Sequence, residues 1–381
     1  MKLETFFYTQ QGGWSVDEFP GFDSERTWVI IFGSPEYIDA PEPIQEIVQA
    51  YPNSHIVGCS SSGEIFGATM VDHSLAVGVI QFEHTTLTAT TTSVQAVEES
   101  FAAGQAIAHQ LNRSDLRGVF ILSDGLHVNG SELVRGLNTI LPTSVIVTGG
   151  LAGDGDRFKQ TWVIKDGQLC SGYVSAVGLY GERVRIGHGS KGGWDIFGPE
   201  RLVTRSQGNI LYELDGRPAL ELYKEYLGEQ AAGLPATGFH FPLGLRADRS
   251  DPRSIVRTIL AIDEETQAMI SAGDIPQGYL AQLMRGNFDR LVDGAAEAAL
   301  MIDNYQTPAS PTLSIAISCV GRRLVLGERT EEEIEAVLDG LPPGIPQIGF
   351  YSYGEISPYG VGHCDLHNQT MTLTTISEEP S

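Results

Sequence analysis

The chain has 381 residues, with 24 Lys and Arg against 48 Asp and Glu, a formal net charge of −24. A surface that acidic repels phosphate backbones and anionic headgroups, which excludes nucleic acid and membrane surfaces as favoured partners. Apolar residues at 41% and charged residues at 19% describe a globular chain long enough for two or three domains, and 44 glycines point to many tight turns and close backbone approaches.

The opening stretch MKLETFFYTQQGGW has one Lys and no long apolar run, so it does not read as a signal peptide. No segment approaches the ~18 apolar residues of a membrane span. Cys59, Cys170, Cys319 and Cys364 are scattered without a CxxC pair, the pattern of free thiols in a reducing cytoplasm.

Residues 27–34 form an apolar run, 43–52 an amphipathic helix, and 55–65 a second apolar run ending in Gly63 and Glu64. An alternating stretch over 75–94 reads as an antiparallel hairpin. The strand–helix–strand order recurs over 117–125, 131–142 and 144–155, with Asn129 or Ser131 as the helix start. A second hairpin pattern follows at 169–190. The domain boundary is expected near 215–235, where Asp215-Gly-Arg-Pro starts a helix and Gly233-Leu-Pro-Ala-Thr-Gly breaks the pattern. Residues 254–270 read as a hairpin with its turn at Asp263-Glu-Glu-Thr. Over 279–302, Leu280, Leu283, Met284, Phe288, Leu291 and Val292 recur at three and four, the pattern of one long core helix. The third unit covers 312–321, 331–343 and 345–356, with Thr330 and Glu333 as a capping box. Such units predict parallel strands joined by right-handed crossovers, and runs such as 28–32 predict sheets covered on both faces. The expected class is α/β: repeated strand–helix–strand units forming mixed sheets with helices packed on them, in a two-part architecture.

Units one and three end alike. Gly58-Cys-Ser-Ser-Ser-Gly-Glu-Ile65 has the spacing of Gly349-Phe-Tyr-Ser-Tyr-Gly-Glu-Ile356, and unit two ends in the variant Gly149-Gly-Leu-Ala-Gly-Asp154. Loops at the carboxyl ends of parallel strands are where open α/β sheets bind ligands. The candidate ligand contacts are therefore Cys59, Ser60, Glu64, Asp154, Tyr353 and Glu355. The alternative is that the glycines close turns, the acids cap them, and common descent of the units explains the likeness.

Catalytic motifs are mostly absent. Gly187-His-Gly-Ser-Lys-Gly192 fits GxGxxG by letter, but the residues after it cannot open a helix, so it is no dinucleotide fingerprint. There is no P-loop, no GxSxG elbow and no HExxH. Cys59 is the one reactive group an enzyme reading can name, and no base is assigned to it. His188 lies among glycines with Trp194 and Phe197 nearby, an arrangement open to an axial haem ligand or an ordinary turn histidine. His363 and His367, four apart on a strand, point to one face and suit a shared ligand or a satisfied polar pair.

The segments 55–64, 149–154, 212–220, 349–358 and 364–373 together resemble the FIST family, a sensory module with an N-terminal and a C-terminal part. The resemblance implies an N-terminal domain over 26–220, a C-terminal domain over 221–362 and a closing strand over 363–376. It implies sensing of small ligands, amino acids being the general proposal, without catalysis. A chain with no room for an output domain would act in trans in the cytoplasm on a histidine kinase or a cyclic-di-GMP enzyme, and a homo-oligomer stays open. The segment Gly187–Trp194 is similar to a stand-alone type that binds haem b and senses nitric oxide. Haem needs a large apolar pocket, a neutral His and a cation for its propionates, for which His188 and Arg183, Arg185 or Lys191 are the expected residues. An amino acid needs a small polar pocket, better suited to Glu64, Asp154 and Glu355.

Overall fold

The computed structural model describes residues 1–251, 254–302, 310–359 and 362–380. Three repeats build its core. The first contains β1 (Lys2–Thr9), a short β2 (Gly13–Trp14), β3 (Thr27–Gly33), α1 (Glu42–Ala50), β4 (His55–Ser60), β5 (Glu64–Phe66), β6 (Thr69–Val71) and β7 (Ser74–Gln81). The second contains β8 (Thr86–Ser93), α2 (Ser100–Leu111), β9 (Leu116–Ser123), α3 (Gly130–Asn138), β10 (Ile146–Leu151), β11 (Val163–Lys165), β12 (Gln168–Cys170) and β13 (Tyr173–Tyr180).

The third repeat opens with β14 (Val184–Lys191) and is then interrupted. The insertion holds β15 (Asp195–Gln207), β16 (Ile210–Leu214), β17 (Arg217–Pro218), α4 (Ala219–Leu227), β18 (Leu243–Arg246), β19 (Ile255–Arg257), β20 (Ile259–Asp263), β21 (Ala268–Ser271) and β22 (Leu280–Arg285), which form a sheet of their own. The repeat resumes with α5 (Phe288–Leu300), β23 (Thr312–Cys319), α6 (Val320–Leu326), α7 (Thr330–Gly340), β24 (Gln347–Ser352), β25 (Gly354–Pro358), β26 (Cys364–His367) and β27 (Met371–Glu378).

Each repeat has one parallel pair: β3 with β4, β9 with β10, and β23 with β24. Each therefore nucleates its own sheet, and the repeats do not share one. The sheets are exchanged at their edges. The hairpin β5–β6 of the first repeat extends the third repeat's sheet beside β24. The hairpin β11–β12 of the second extends the first repeat's sheet beside β4. The hairpin β25–β26 of the third extends the second repeat's sheet beside β10. The three sheets point their inner faces at one apolar core. Period-two alternation sorts the side chains: Trp28, Ile30 and Phe32 meet Phe120, Leu122, Ile315 and Ile317 there, while Val29 and Ile31 face α1. Each fully buried side chain of this size contributes about 1.5–3 kcal/mol. Helices α2 and α3 cover the second sheet, and α5 and α7 the third.

Gly58, Gly149 and Gly349 occupy one equivalent position, opposite Ile31, Ile121 and Ala316 of the neighbouring parallel strand. At each, a methyl group would overlap the carbonyl oxygen of that opposite residue. Close strand approach, not a ligand, requires these glycines.

Several expectations are corrected. Residues 75–94 and 169–190 are not hairpins: β7 and β8 lie in different sheets, as do β13 and β14. Strands such as β7, buried along nearly their whole length on both faces, need two covered faces, so the chain crosses to another layer instead of turning back. The backbone N–H groups of Glu83, His84 and Thr85 in the first crossing donate to the Glu378 carboxylate. Of residues 254–270, β20 and β21 form a hairpin, but β19 pairs with β18. The long helix over 279–302 is strand β22 followed by α5, because Asn287 caps the helix by accepting from Arg290 N. Asp215 and Gly216, both at positive φ, turn β16 into β17, and the helix starts later, at Ala219. Thr330 makes no capping box; Glu333 turns inward to Arg322, whose guanidinium is wholly buried against it. Asn129 does cap α3, accepting from Ser131 N and Glu132 N.

Candidate functional site

The acids of the repeated loops are used internally. Glu64 is buried, and its Oε2 accepts from the Ser74 backbone N–H at 2.9 Å and the Ser74 hydroxyl at 3.1 Å. Glu355 accepts from the Ser352 hydroxyl at 2.7 Å and from the Thr370 N–H and hydroxyl at 3.1 and 2.8 Å. Burial pushes Glu64 up to about 8 and Glu355 up to about 7 despite these bonds. In the ladder, Glu64 faces Phe350 and Glu355 faces Gly150, and the residue in that place in the second repeat is Val163, opposite Cys59. Asp154 is therefore not the counterpart of the two glutamates.

Asp154 instead shapes a loop. Its carboxylate accepts the backbone N–H groups of Phe158, Lys159 and Gln160 at 2.8–2.9 Å, and the Tyr353 hydroxyl. These donors hold Asp154 below its ordinary value against the opposing effect of burial. Phe158, at positive φ, is thereby set flat against Tyr353, with ring centroids 4.7 Å apart and 15° between planes. Burial and the adjacent Asp154 push the Tyr353 hydroxyl up, so it stays protonated and donates.

This aromatic pair borders a cavity of about 280 Å³. Its floor is the carboxyl ends of parallel strands, with Gly125 and Leu126 after β9, Leu151 ending β10, Cys319 ending β23 and Val320 and Gly321 following it, and Tyr353 after β24. Its roof comes from the insertion, through Asn209, Phe239, Thr258, Leu260 and Ser271 to Gly273. The roof is tied down by the α3 cap: Asn129 Nδ2 donates to Asp274 Oδ1 at 3.0 Å, and Asp274 N donates to Ser131 Oγ at 3.0 Å. The mouth opens beside Val97 and Phe158, which are 45% and 40% exposed. Of the six sequence candidates, Tyr353 alone lines this cavity. Ser60 bonds the Trp162 backbone on the exchanged hairpin. Cys59 is fully buried in the central core, and burial pushes its thiol far up, the opposite of a reactive cysteine.

A family model for the FIST N domain matches residues 27–217, and one for the FIST C domain matches residues 219–358. The chain belongs to the FIST family. Its domains are sensory, signal-transducing domains for small ligands. Similar proteins include an uncharacterized protein of Mycobacterium tuberculosis, 24% identical over 362 residues that cover 90% of this chain and 89% of that one. Another, from Mycobacterium bovis, is 24% identical over 384 residues, covering 97% and 95%. A third, from Methanocaldococcus jannaschii, is 23% identical over 320 residues, covering 76% of this chain and 59% of that protein. The boundary between the two FIST matches falls inside the insertion, so β14 of the third repeat lies in the FIST N match.

Most groups expected to complete a haem b site with His188 lie elsewhere. Gly187 and Gly189 face α5, where a methyl at Gly187 would meet Ile302 and Thr375 and one at Gly189 would overlap the Ala298 carbonyl, whereas His188 points to the opposite face of the strand. Trp194 packs with Leu291 and Val325 and donates to Gln369 O, while Phe197 belongs to the insertion's core. Of the three expected cations, Arg185 and Lys191 are engaged with Glu379 and Glu297, while Arg183 keeps a buried Nη1 without a hydrogen-bond partner. Burial lowers His188, whose Nδ1 has no partner. His363 and His367 do not share a face: His363 is exposed, and His367 is buried with Nε2 3.0 Å from Ser357 O. Among the described residues no three His, Cys, Asp or Glu side chains are grouped to hold a metal, and no helix is long and apolar enough to cross a membrane.

Sequence reasoning missed the roof. Thr258, Phe239 and Asn209 carry no motif, and only tertiary packing brings them over the strand ends. Cys319 carries a signal, since it ends the first parallel strand of its unit, a strand end of the kind that binds ligands in open α/β sheets.

Proposed function

We propose that this FIST protein is a sensor that takes up a small organic ligand in the cavity between the repeat core and the insertion. The observation that carries this reading is that the strand-end cavity is roofed by a separate sheet through a few polar ties, so occupancy bears directly on how the two parts sit. Bound ligand favours the closed arrangement by its differential contacts with floor and roof. The signal then passes to a separate output protein in the cytoplasm, with a histidine kinase or a cyclic-di-GMP enzyme as the partner class of this reading. The four free thiols suit that compartment. Because Trp194, Phe197, Arg185 and Lys191 are engaged away from His188, no nitric-oxide step is assigned. Thermal-shift screening of small metabolites on the full chain tests the reading. A stabilising metabolite should lose its effect in Ala272→Trp, which fills the roof side of the cavity. Stabilisation that persists unchanged in that variant overturns it.

A further inference from the structure

The lining of the cavity narrows what it accepts. Among the described residues that line it, none is Asp, Glu, Lys, Arg or His. A zwitterionic amino acid would bury an ammonium there with no counter-charge, at a cost of several kcal/mol per unpaired ion. Asp154 is saturated by three backbone amides and the Tyr353 hydroxyl, and Asp274 is engaged by Asn129.

The polar groups in the wall are also mostly used. Tyr353 donates to Asp154, and Ser271 Oγ donates within the roof to Gly273 O. Asn129 is occupied at both ends of its amide. Thr258 lines the cavity, but its Oγ1 is covered by protein and has no hydrogen-bond partner, so it presents no hydroxyl to the cavity. The rest of the wall is apolar, with Leu126, Leu151, Phe239, Leu260 and Val320 beside the Phe158–Tyr353 pair. A volume of about 280 Å³ suits a molecule of one or two fused rings.

Resting on the cavity reading above, we propose that the ligand is an uncharged, ring-sized organic molecule held by the apolar wall. The test uses the full chain with indole, tryptophan and indole-3-acetate, which share a ring system and differ in charge, and with phenol, benzyl alcohol and benzamide as further uncharged rings. Calorimetric titration should show indole or another uncharged ring binding at least tenfold more tightly than tryptophan or indole-3-acetate. Ala272→Trp should abolish that binding. Tryptophan or indole-3-acetate binding as tightly as indole, yet lost in Ala272→Trp, overturns the uncharged ligand and leaves the cavity reading standing. Binding of any probe that survives Ala272→Trp overturns the cavity reading itself. Failure of all four uncharged rings to bind at millimolar concentration overturns the inference.

Discussion

Loop 60–64 of the first repeat and loop 351–355 of the third share a spacing, a ladder position and a way of satisfying a buried glutamate. Yet Ser62 is spent on the fold, accepting Gly155 N at 2.9 Å through its hydroxyl and Arg323 at its carbonyl, whereas Tyr353 at the matching place lines the cavity. The difference comes from what lies above. The insertion roofs the strand ends of the second and third repeats and leaves the first alone. The repeated motif is thus a device for joining sheets, and ligand access is decided by the neighbour that covers it.

The largest test of the shared part is Gly349→Ala. Overlap with the Ala316 carbonyl should cost about 3 kcal/mol or more, against about 1 kcal/mol for Gly344→Ala, where φ is 85° and the space is open. Urea unfolding of both variants checks this, and equal losses would refute the steric reading. Next comes the part that differs. Asp154→Ala strands three backbone donors and should cost about 2 kcal/mol, with faster hydrogen exchange at Phe158 to Gln160.

The two glutamates should respond alike to pH. Each has its folded value raised above the ordinary 4.5, to about 8 for Glu64 and about 7 for Glu355. The folded chain therefore holds these protons after the unfolded chain has lost them, and stability falls as pH rises from about 4.5 to 8. Glu64→Gln and Glu355→Gln should each flatten that slope, with an effect of roughly a few kcal/mol at pH 9; an unchanged profile in both would mean other groups set it. Smallest should be Ser74→Ala and Thr370→Val, each removing one hydroxyl donor to a buried acid, about 1 kcal/mol apiece.

The units themselves were legible because local periodicity reports local structure. Trp28 to Phe32 and Ile315 to Ile317 read as covered strands, and Asn129 reads as a cap, from a handful of neighbouring residues. What failed depended on distant partners. Nothing local tells β7 to leave its neighbour β8 for another sheet, or β5 to join β24. In 279–302, three-and-four spacing fits a strand and a helix in series as well as one helix, and only the Gly286-Asn287 stop separates them. The loop glutamates misled because a buried acid held by the next strand's Ser or Thr has the same sequence as one awaiting a ligand. His188 misled because glycine beside it serves α5 as readily as it would serve a flat cofactor.

The cyclic exchange of hairpins also bears on how the molecule is made. The first repeat's sheet keeps a bare edge along β4 until β11 is synthesised, and the second repeat's edge along β10 waits for β25, close to the end of translation. Unpaired edges of this kind are templates for wrong pairing. The first repeat's sheet can thus close midway through synthesis, whereas the second keeps an open edge until translation is nearly over and is the part most exposed to wrong pairing on the ribosome.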